Sequence, residues 1–239
     1  MRAWPCSWPP TTAACARRSI SSSTAGGSDG RRDDGLIRRR IAEAFPEDGI
    51  LTEESGGTDG EASWAVDPID GTRNFARGIA HFTVSIAFRA DGRTLCGAII
   101  DPAAGELFSA RRGAGAFRDG RPIKVRDTLR PEDSVIDAGN SHRAPMDDYL
   151  VGRLVHAGYD FVQAGSAALG LAQVACGRIE GYCELHLWSW DVLAGLLLVE
   201  EASGRTSDFA ANDGMRLGNR VLACAPGIAR SLVAVTGIA

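Results

Sequence analysis

The sequence is most informative first in what it lacks. Its six cysteines (Cys6, Cys15, Cys96, Cys176, Cys183 and Cys224) form no CxxC pair, and no His/Cys cluster has zinc spacing. That excludes a structural zinc site and a disulfide framework, and free thiols in a reducing cytoplasm are the expectation. The four histidines (81, 142, 156 and 186) are dispersed, and "GSA" at 165–167 is not a GxSxG nucleophile elbow, so a Ser-His-Asp hydrolase is excluded. The longest apolar run, "VLAGLLLV" (Val192 to Val199), is too short to span a bilayer. The formal net charge is −4 and no basic stripe occurs, which argues against nucleic acid or an anionic membrane as partner. An anionic substrate would need local arginines or bound metal ions. "RRGAGAFRDGRPIKV" lacks the GxxxxGK[ST] of a phosphate loop and reads as a hairpin with exposed arginines.

What is present is a 239-residue chain, 44% hydrophobic, enough for one large domain. Residues 1–35 are rich in Ser, Thr, Arg and Pro, with no acid before Asp29, and read as a divergent, disordered head or a misassigned start. From Leu36 the pattern becomes regular. "LIRRRIAEAF" is an amphipathic helix ended by Pro46, and "SWAV" a short strand. "HFTVSIAFRADGRTLCGAIID" is a hairpin turning at Asp91-Gly92, with "GELFSARR" and "PIKV" as further strands. After Pro131, strands ("SVIDAG", "YDFVQAG", "IEGYCEL", "RVLACA") alternate with helices ("MDDYLVGRLVHAG", "SAALGLAQVACG", "WDVLAGLLLVEEASG", "PGIARSLVAV"), the third closed by Gly204. An antiparallel half therefore precedes an alternating half, in one domain with helices and sheets in layers.

The chemistry concentrates in acidic residues. In Asp67-Pro68-Ile69-Asp70-Gly71-Thr72 the proline holds Asp67 extended and Gly71 permits a sharp bend. Both carboxylates, and the Ile69 carbonyl, can then face one point, while amides beyond the bend and the Thr72 hydroxyl can cradle phosphate if a helix starts there. An Asp-Pro/Asp-Gly turn with aspartates capping amides accounts for the same residues. Glu53 and Glu54 end an apolar segment, where a pair of solvated glutamates is the plain alternative. Asp191 lies between Trp190 and an apolar helix, where it can cap the helix or, partly buried, seek a cation. Glu53, Asp67, Asp70 and Asp191 together offer the all-oxygen donor set that Mg²⁺ takes.

At these residues the chain resembles a known family. "DPIDGTRNF", "TEES", "GSAAL", "YCELHLWSWD" and "WDVLAGLLLVEEASG" look like signatures of the inositol monophosphatase family of Mg²⁺-dependent, lithium-sensitive phosphatases, in the right order from Leu36 to the C-terminus. The resemblance implies an α+β fold, the layered α/β/α/β/α sandwich shared with fructose-1,6-bisphosphatase, and a cytoplasmic homodimer. It implies that Glu53, Asp67 and the Ile69 carbonyl bind a first Mg²⁺, that Asp67, Asp70 and Asp191 bind a second, and that Glu53 helps hold a third. Glu53, Asp70 and Thr72 would be catalytic. Gly71, Thr72, Ala168, Glu184 and Asp191 would contact a small phosphate ester, and Arg143, Ser166, Ala168 and Glu184 would discriminate between alcohols. A polyol or amino-alcohol monophosphate, inositol 1-phosphate first, is the implied substrate. Histidinol phosphate, fructose 1,6-bisphosphate and a catalytically impaired metal-binding scaffold are the alternatives.

Two departures from the family pattern stand out. Family members carry a Thr-x-x-Asp pair ahead of this first helix. Counting back from Glu53 lands instead on Gly30 with Asp29 beside it, and Thr24 lies too far upstream. Weakened turnover and loose binding of the third ion are expected. Thr52 stands where glycine is common, with its side chain expected to point away from the metals.

Overall fold

The computed structural model describes residues 30–58, 60–140 and 150–239. Thr24, Asp29, Cys6, Cys15, His142 and Arg143 lie outside the described residues, as does the first part of the helix expected from Met146.

Two sheets and the helices around them make five layers. The first sheet has eight strands: β1 (Gly49–Thr52), β2 (Gly56–Gly57), β3 (Ala62–Asp70), β4 (Thr83–Ala90), β5 (Arg93–Asp101), β6 (Glu106–Arg111), β7 (Gly115–Arg118) and β8 (Arg121–Pro122). Their spatial order is β2-β1-β3-β4-β5-β6-β7-β8, antiparallel throughout except for β1 beside β3. The second sheet has β9 (Val135–Ala138), β10 (Asp160–Val162), β11 (Gly181–Leu187), β12 (Arg205–Thr206) and β13 (Asn219–Cys224), in the order β10-β9-β11-β13-β12. Its β10-β9-β11 side is parallel and its β11-β13-β12 side antiparallel.

The layers follow from period-two alternation along the strands. On β3 and β4, Trp64, Val66, Val84, Ile86 and Phe88 face outward onto α1 (Gly30–Ala44) through Ile37 and Ile41. The intervening Ala65 and Ala87 face inward onto α4 (Ala167–Ala175) and α5 (Ser189–Glu201). The same helices receive Tyr182, Val221 and Ala223 from the second sheet. Cys183, Leu222 and Cys224 point the other way, onto α3 (Leu150–His156) and α7 (Ala229–Thr236). A hydrophobic face on each side of both sheets leaves only this alternation of helix and sheet layers. A short α2 (Thr72–Ala76) follows β3, and α6 (Gly214–Leu217) precedes β13.

Four details differ from the pattern read along the chain. The helix expected from Leu36 begins at Gly30, inside the segment read as a divergent head, and Asp34 is buried. Apolar periodicity could not reveal that turn because "GRRDD" is polar. "SWAV" grows into a nine-residue strand that carries the Asp-Pro-Ile-Asp segment. "PIKV" pairs only at Arg121–Pro122; Val125 instead donates its amide to the Ala202 carbonyl (3.1 Å). Ser203, at φ +69°, rather than Gly204, takes the left-handed position after α5. A Cβ on Gly204 would meet Val199 Cγ1 at 2.4 Å, so that glycine serves close packing.

The glycine-rich stretch is a β6–β7 hairpin, as expected. The amides of Gly113 and Gly115 donate to the Glu201 carboxylate at 2.8 Å each, and Arg112 binds Glu200 at 2.9 Å. This loop is an anion cradle already occupied by the protein's own carboxylate. Cys96, Cys176, Cys183 and Cys224 are free thiols, and no helix among the described residues is long and apolar enough to cross a membrane.

A candidate active site built on an acidic cluster

A strand alternates faces, so Asp67 and Asp70, three residues apart, should point opposite ways. They do not, because the ladder slips between them. Asp67 pairs with Ser85 and Asp70 with Thr83, three steps on β3 against two on β4. The extra residue is a β-bulge, and Pro68, with no amide hydrogen to lose from the ladder, sits inside it. The bulge turns both aspartates toward α4 and α5. Gly71 then bends the chain at φ +90°, ψ 36°, where a Cβ would stand 3.0 Å from the His81 carbonyl oxygen and 3.2 Å from that of Gly165. Thr72 opens α2, and its hydroxyl donates to the Ile69 carbonyl at 3.0 Å.

Each aspartate is also a cap, so the plain reading of these residues holds alongside the chemical one. Asp67 Oδ1 accepts from the Ile69 amide (2.9 Å). Asp191, in the first turn of α5, accepts from the Trp188 amide (2.8 Å), half of a capping box. Asp70 reaches α4, accepting from the Ser166 hydroxyl and from the amides of Ala167 (3.3 Å) and Ala168 (2.8 Å). Thr83 also faces it at 3.4 Å. Asn74 ties the two sides together, donating to the carbonyls of His81 and Ala164 at 2.8 Å each.

Electrostatically the cluster is under tension. Burial pushes Asp67 well above the usual carboxylate range, and the charges of Asp70, Glu53 and Asp191 push the same way. Burial also raises Asp191 well above it, with Asp70, Glu53 and Glu184 adding to the effect. Trp188 and Trp190 stack 5.4 Å apart on either side of Ser189, just ahead of Asp191. Burial raises Asp70 despite its four hydrogen-bond donors. Glu53 is exposed as a residue but its carboxyl turns inward to Asp67; loss of water raises it, their hydrogen bond opposes, and Glu54 and Asp70 raise it further. No lysine or arginine is among the main influences on any of the four. Four clustered carboxylates, three of them buried or half-buried, with no described lysine or arginine among their main influences, are a donor set that hard divalent cations fit. Among the described residues no three such side chains already stand as a finished coordination group. Closing around a cation would therefore mean sharing oxygens now given to amides.

Glu184 stands on β11 across from this cluster, buried, at a second bulge between Glu184 and Leu187. Ala168 is buried in the first turn of α4. The Thr52 hydroxyl bonds that of Ser55 at 3.1 Å. Sequence reasoning missed Ser166 as the donor to Asp70, Asn74 as the tie, and Tyr182 beside Glu184. Only the last had a signal, its i, i+2 spacing from Glu184 in a strand. A cavity of about 380 Å³ near the C-terminal turns of α5, bounded by Arg93, Arg112, Glu200, Asp208 and Phe209, contains none of the four carboxylates.

The model of the inositol monophosphatase family matches residues 31–236. An inositol-1-monophosphatase of Mesorhizobium japonicum is 41% identical over 210 residues, covering 85% of this chain and 79% of that protein. The Nus factor SuhB of Escherichia coli K12 is 38% identical over 208 residues, covering 84% and 78%. The solved inositol monophosphatase of Anabaena superposes with a TM-score of 0.84 at 34% identity, covering 95% of this chain and 93% of the other.

Proposed function

This chain belongs to the inositol monophosphatase family, and we propose that it is a Mg²⁺-dependent phosphomonoesterase acting on a small polyol or amino-alcohol monophosphate, inositol 1-phosphate first. The observation that carries this reading is the β3 bulge, which turns Asp67 and Asp70 to one face opposite Asp191 and Glu53, with no described lysine or arginine among the main influences on them.

Glu53, Asp67, the Ile69 carbonyl, Asp70 and Asp191 would hold two to three Mg²⁺ ions. Bound there, the cations would neutralise the phosphoryl oxygens and make a water nucleophilic near neutral pH. The chain's own groups do the rest. The bend at Gly71 and the start of α2 present backbone N–H groups to the phosphate. The Thr72 hydroxyl, which donates to Ile69, keeps its lone pairs to orient a water for in-line attack. Ser166 and the amides of Ala167 and Ala168 hold the Asp70 carboxylate at the right angle. Glu184 faces the departing alcohol and suits hydroxyls or an amine; a second phosphate would be repelled. No covalent intermediate is required, so retention of phosphate on the protein is not expected.

Phosphate release from inositol 1-phosphate, histidinol phosphate and fructose 1,6-bisphosphate, with Mg²⁺ and with chelator, tests this. Mg²⁺-dependent release from the first and little from the bisphosphate is expected; no release from any would sink it. Relatives that carry the name Nus factor, not that of a phosphatase, leave a second reading, a catalytically impaired metal-binding protein whose fold serves as a scaffold. Asp191→Asn separates the two: it removes turnover and would leave a scaffold intact.

A further inference from the structure

The face of the second sheet that looks toward α4 carries three acidic or phenolic side chains. Asp137 on β9 and Tyr182 on β11 are direct neighbours across parallel strands, and Glu184 lies two residues beyond Tyr182 on the same face. Their alternates Ile136, Ala138 and Cys183 belong to the outer core, so the three polar groups all turn inward. All three are more than nine-tenths buried. The Tyr182 hydroxyl donates to Glu184 Oε2.

Two glycines make room for this pair. A Cβ on Gly139 would stand 2.0 Å from Glu184 Oε2 and 2.7 Å from the Tyr182 hydroxyl oxygen. A Cβ on Gly170 would stand 2.6 Å from the Tyr182 ring and 2.9 Å from Asp137 Oδ2. Close-packed interiors do not absorb such overlaps without displacement. Tyr182 and Glu184 are thus walled by backbone on two sides while hydrogen-bonded to each other. Burial and the charges of Glu184 and Asp137 hold the phenol protonated, so it remains a donor.

We propose that Tyr182 is a positioning residue acting through Glu184. Its hydroxyl fixes the plane of the Glu184 carboxylate so that the carboxylate accepts from a hydroxyl of the alcohol portion of the substrate. The protein thereby selects esters of polyols over esters whose alcohol carries no second hydroxyl. Tyr182 itself touches no reacting atom. This inference rests on the phosphomonoesterase reading of the site.

The test compares inositol 1-phosphate with phenyl phosphate on wild type, Tyr182→Phe, Glu184→Gln and the double variant, with melting temperature as the fold control. Tyr182→Phe should lower kcat/KM for inositol 1-phosphate by about tenfold or more, mainly through KM, the range expected for one hydrogen bond to a charged group. The loss on phenyl phosphate should be markedly smaller, and the double variant should be no worse than Glu184→Gln alone. Gly139→Ala, whose Cβ crowds both the Glu184 carboxylate and the Tyr182 hydroxyl, should reproduce the same selective loss. Equal losses on the two esters, or additive losses in the double variant, would overturn the positioning role while leaving the phosphomonoesterase reading intact. Failure of wild type to hydrolyse either ester would overturn that reading, and this inference with it.

Discussion

The candidate site has two unlike walls. The wall made by the end of β3, α4 and α5 is dense: Asp67, Asp70 and Asp191 are withdrawn from water and bonded to amides of three separate elements. The wall made by α1 and the Glu53-Glu54-Ser55 turn is thin. Glu53 and Ser55 are exposed, Glu54 is half-buried, and the residue of α1 beside the Glu54 carboxylate is a glycine, Gly30. The ties there are few: Ser55 donates to buried Asp34 and bonds Thr52, and Arg38 donates to Ser55 and to the Gly56 carbonyl. Charge held by many donors behaves as a fixed instrument, whereas charge on a thin wall can be tuned or lost at small structural cost. That contrast sets the order of the expected effects.

The largest effect belongs to the dense wall. Asp67→Asn should lower Mg²⁺-dependent phosphate release by about a thousandfold or more, since two cation sites would share that carboxylate. In chelator the same variant should melt no lower than wild type, because a repelled buried charge has gone. Glu54→Gln, on the thin wall, should change the rate several-fold at most. Comparable losses in the two variants would erase the distinction.

Next is the cation itself. At a hundred times its dissociation constant, Mg²⁺ should stabilise wild type by about 2.7 kcal/mol, read as a rise in melting temperature, and Asp67→Asn should lose most of that gain. An equal rise in both would place the cation elsewhere.

Removal of Mg²⁺ also exposes a pH dependence. Burial raises Asp137 from 3.8 to about 6. A carboxyl raised in the folded protein contributes stability that is fully present below its unfolded value and is lost as pH rises through the folded one. In chelator, stability should therefore fall between about pH 4 and pH 6, by about 3 kcal/mol at most from Asp137 alone. The raised carboxyls of the cluster extend the fall upward. Asp137→Asn should flatten the pH 4–6 portion of denaturation midpoints; an unchanged slope would refute this assignment. Smaller again is Ser166→Ala, which removes a hydroxyl donor to Asp70 and should cost about tenfold in kcat/KM with little change in KM. A change confined to KM would assign Ser166 to the substrate instead.

The dense wall was also the more legible. The Asp-Gly hairpin, the alternating strands and the apolar α5 are local patterns, and the sequence shows them directly. The five layers were legible through family resemblance, because alternation fixes two faces without saying what covers them. That Asp67 and Asp70 share a face was legible only as a possibility. It depends on a one-residue slip against β4, and a slip is a property of two strands. The reach of Asp70 across to Ser166 joins positions 96 residues apart, beyond any local signal. The start of α1 was hidden for the opposite reason: its first turn is polar, held by Asp34 and Ser55 rather than by an apolar stripe.

The smallest expected effect asks whether the thin wall can be thickened. Gly30 occupies the place where the family pattern leads one to look for an acid. A Cβ there would meet Glu54 Oε1 at 2.6 Å, but that atom is the far end of a flexible side chain and can swing away. Gly30→Asp would set a second carboxylate beside Glu54 near the start of α1, where negative charge is favoured. One added charge beside a solvated cation contributes about 1 kcal/mol at most, so the Mg²⁺ concentration giving half-maximal rate should fall by up to about fivefold, with lithium inhibition strengthened to a similar degree. Gly30→Ala, carrying the Cβ without the charge, should leave both unchanged. If alanine and aspartate act alike, the thin wall is limited by packing rather than by charge, and the contrast between the two walls must be redrawn in steric terms.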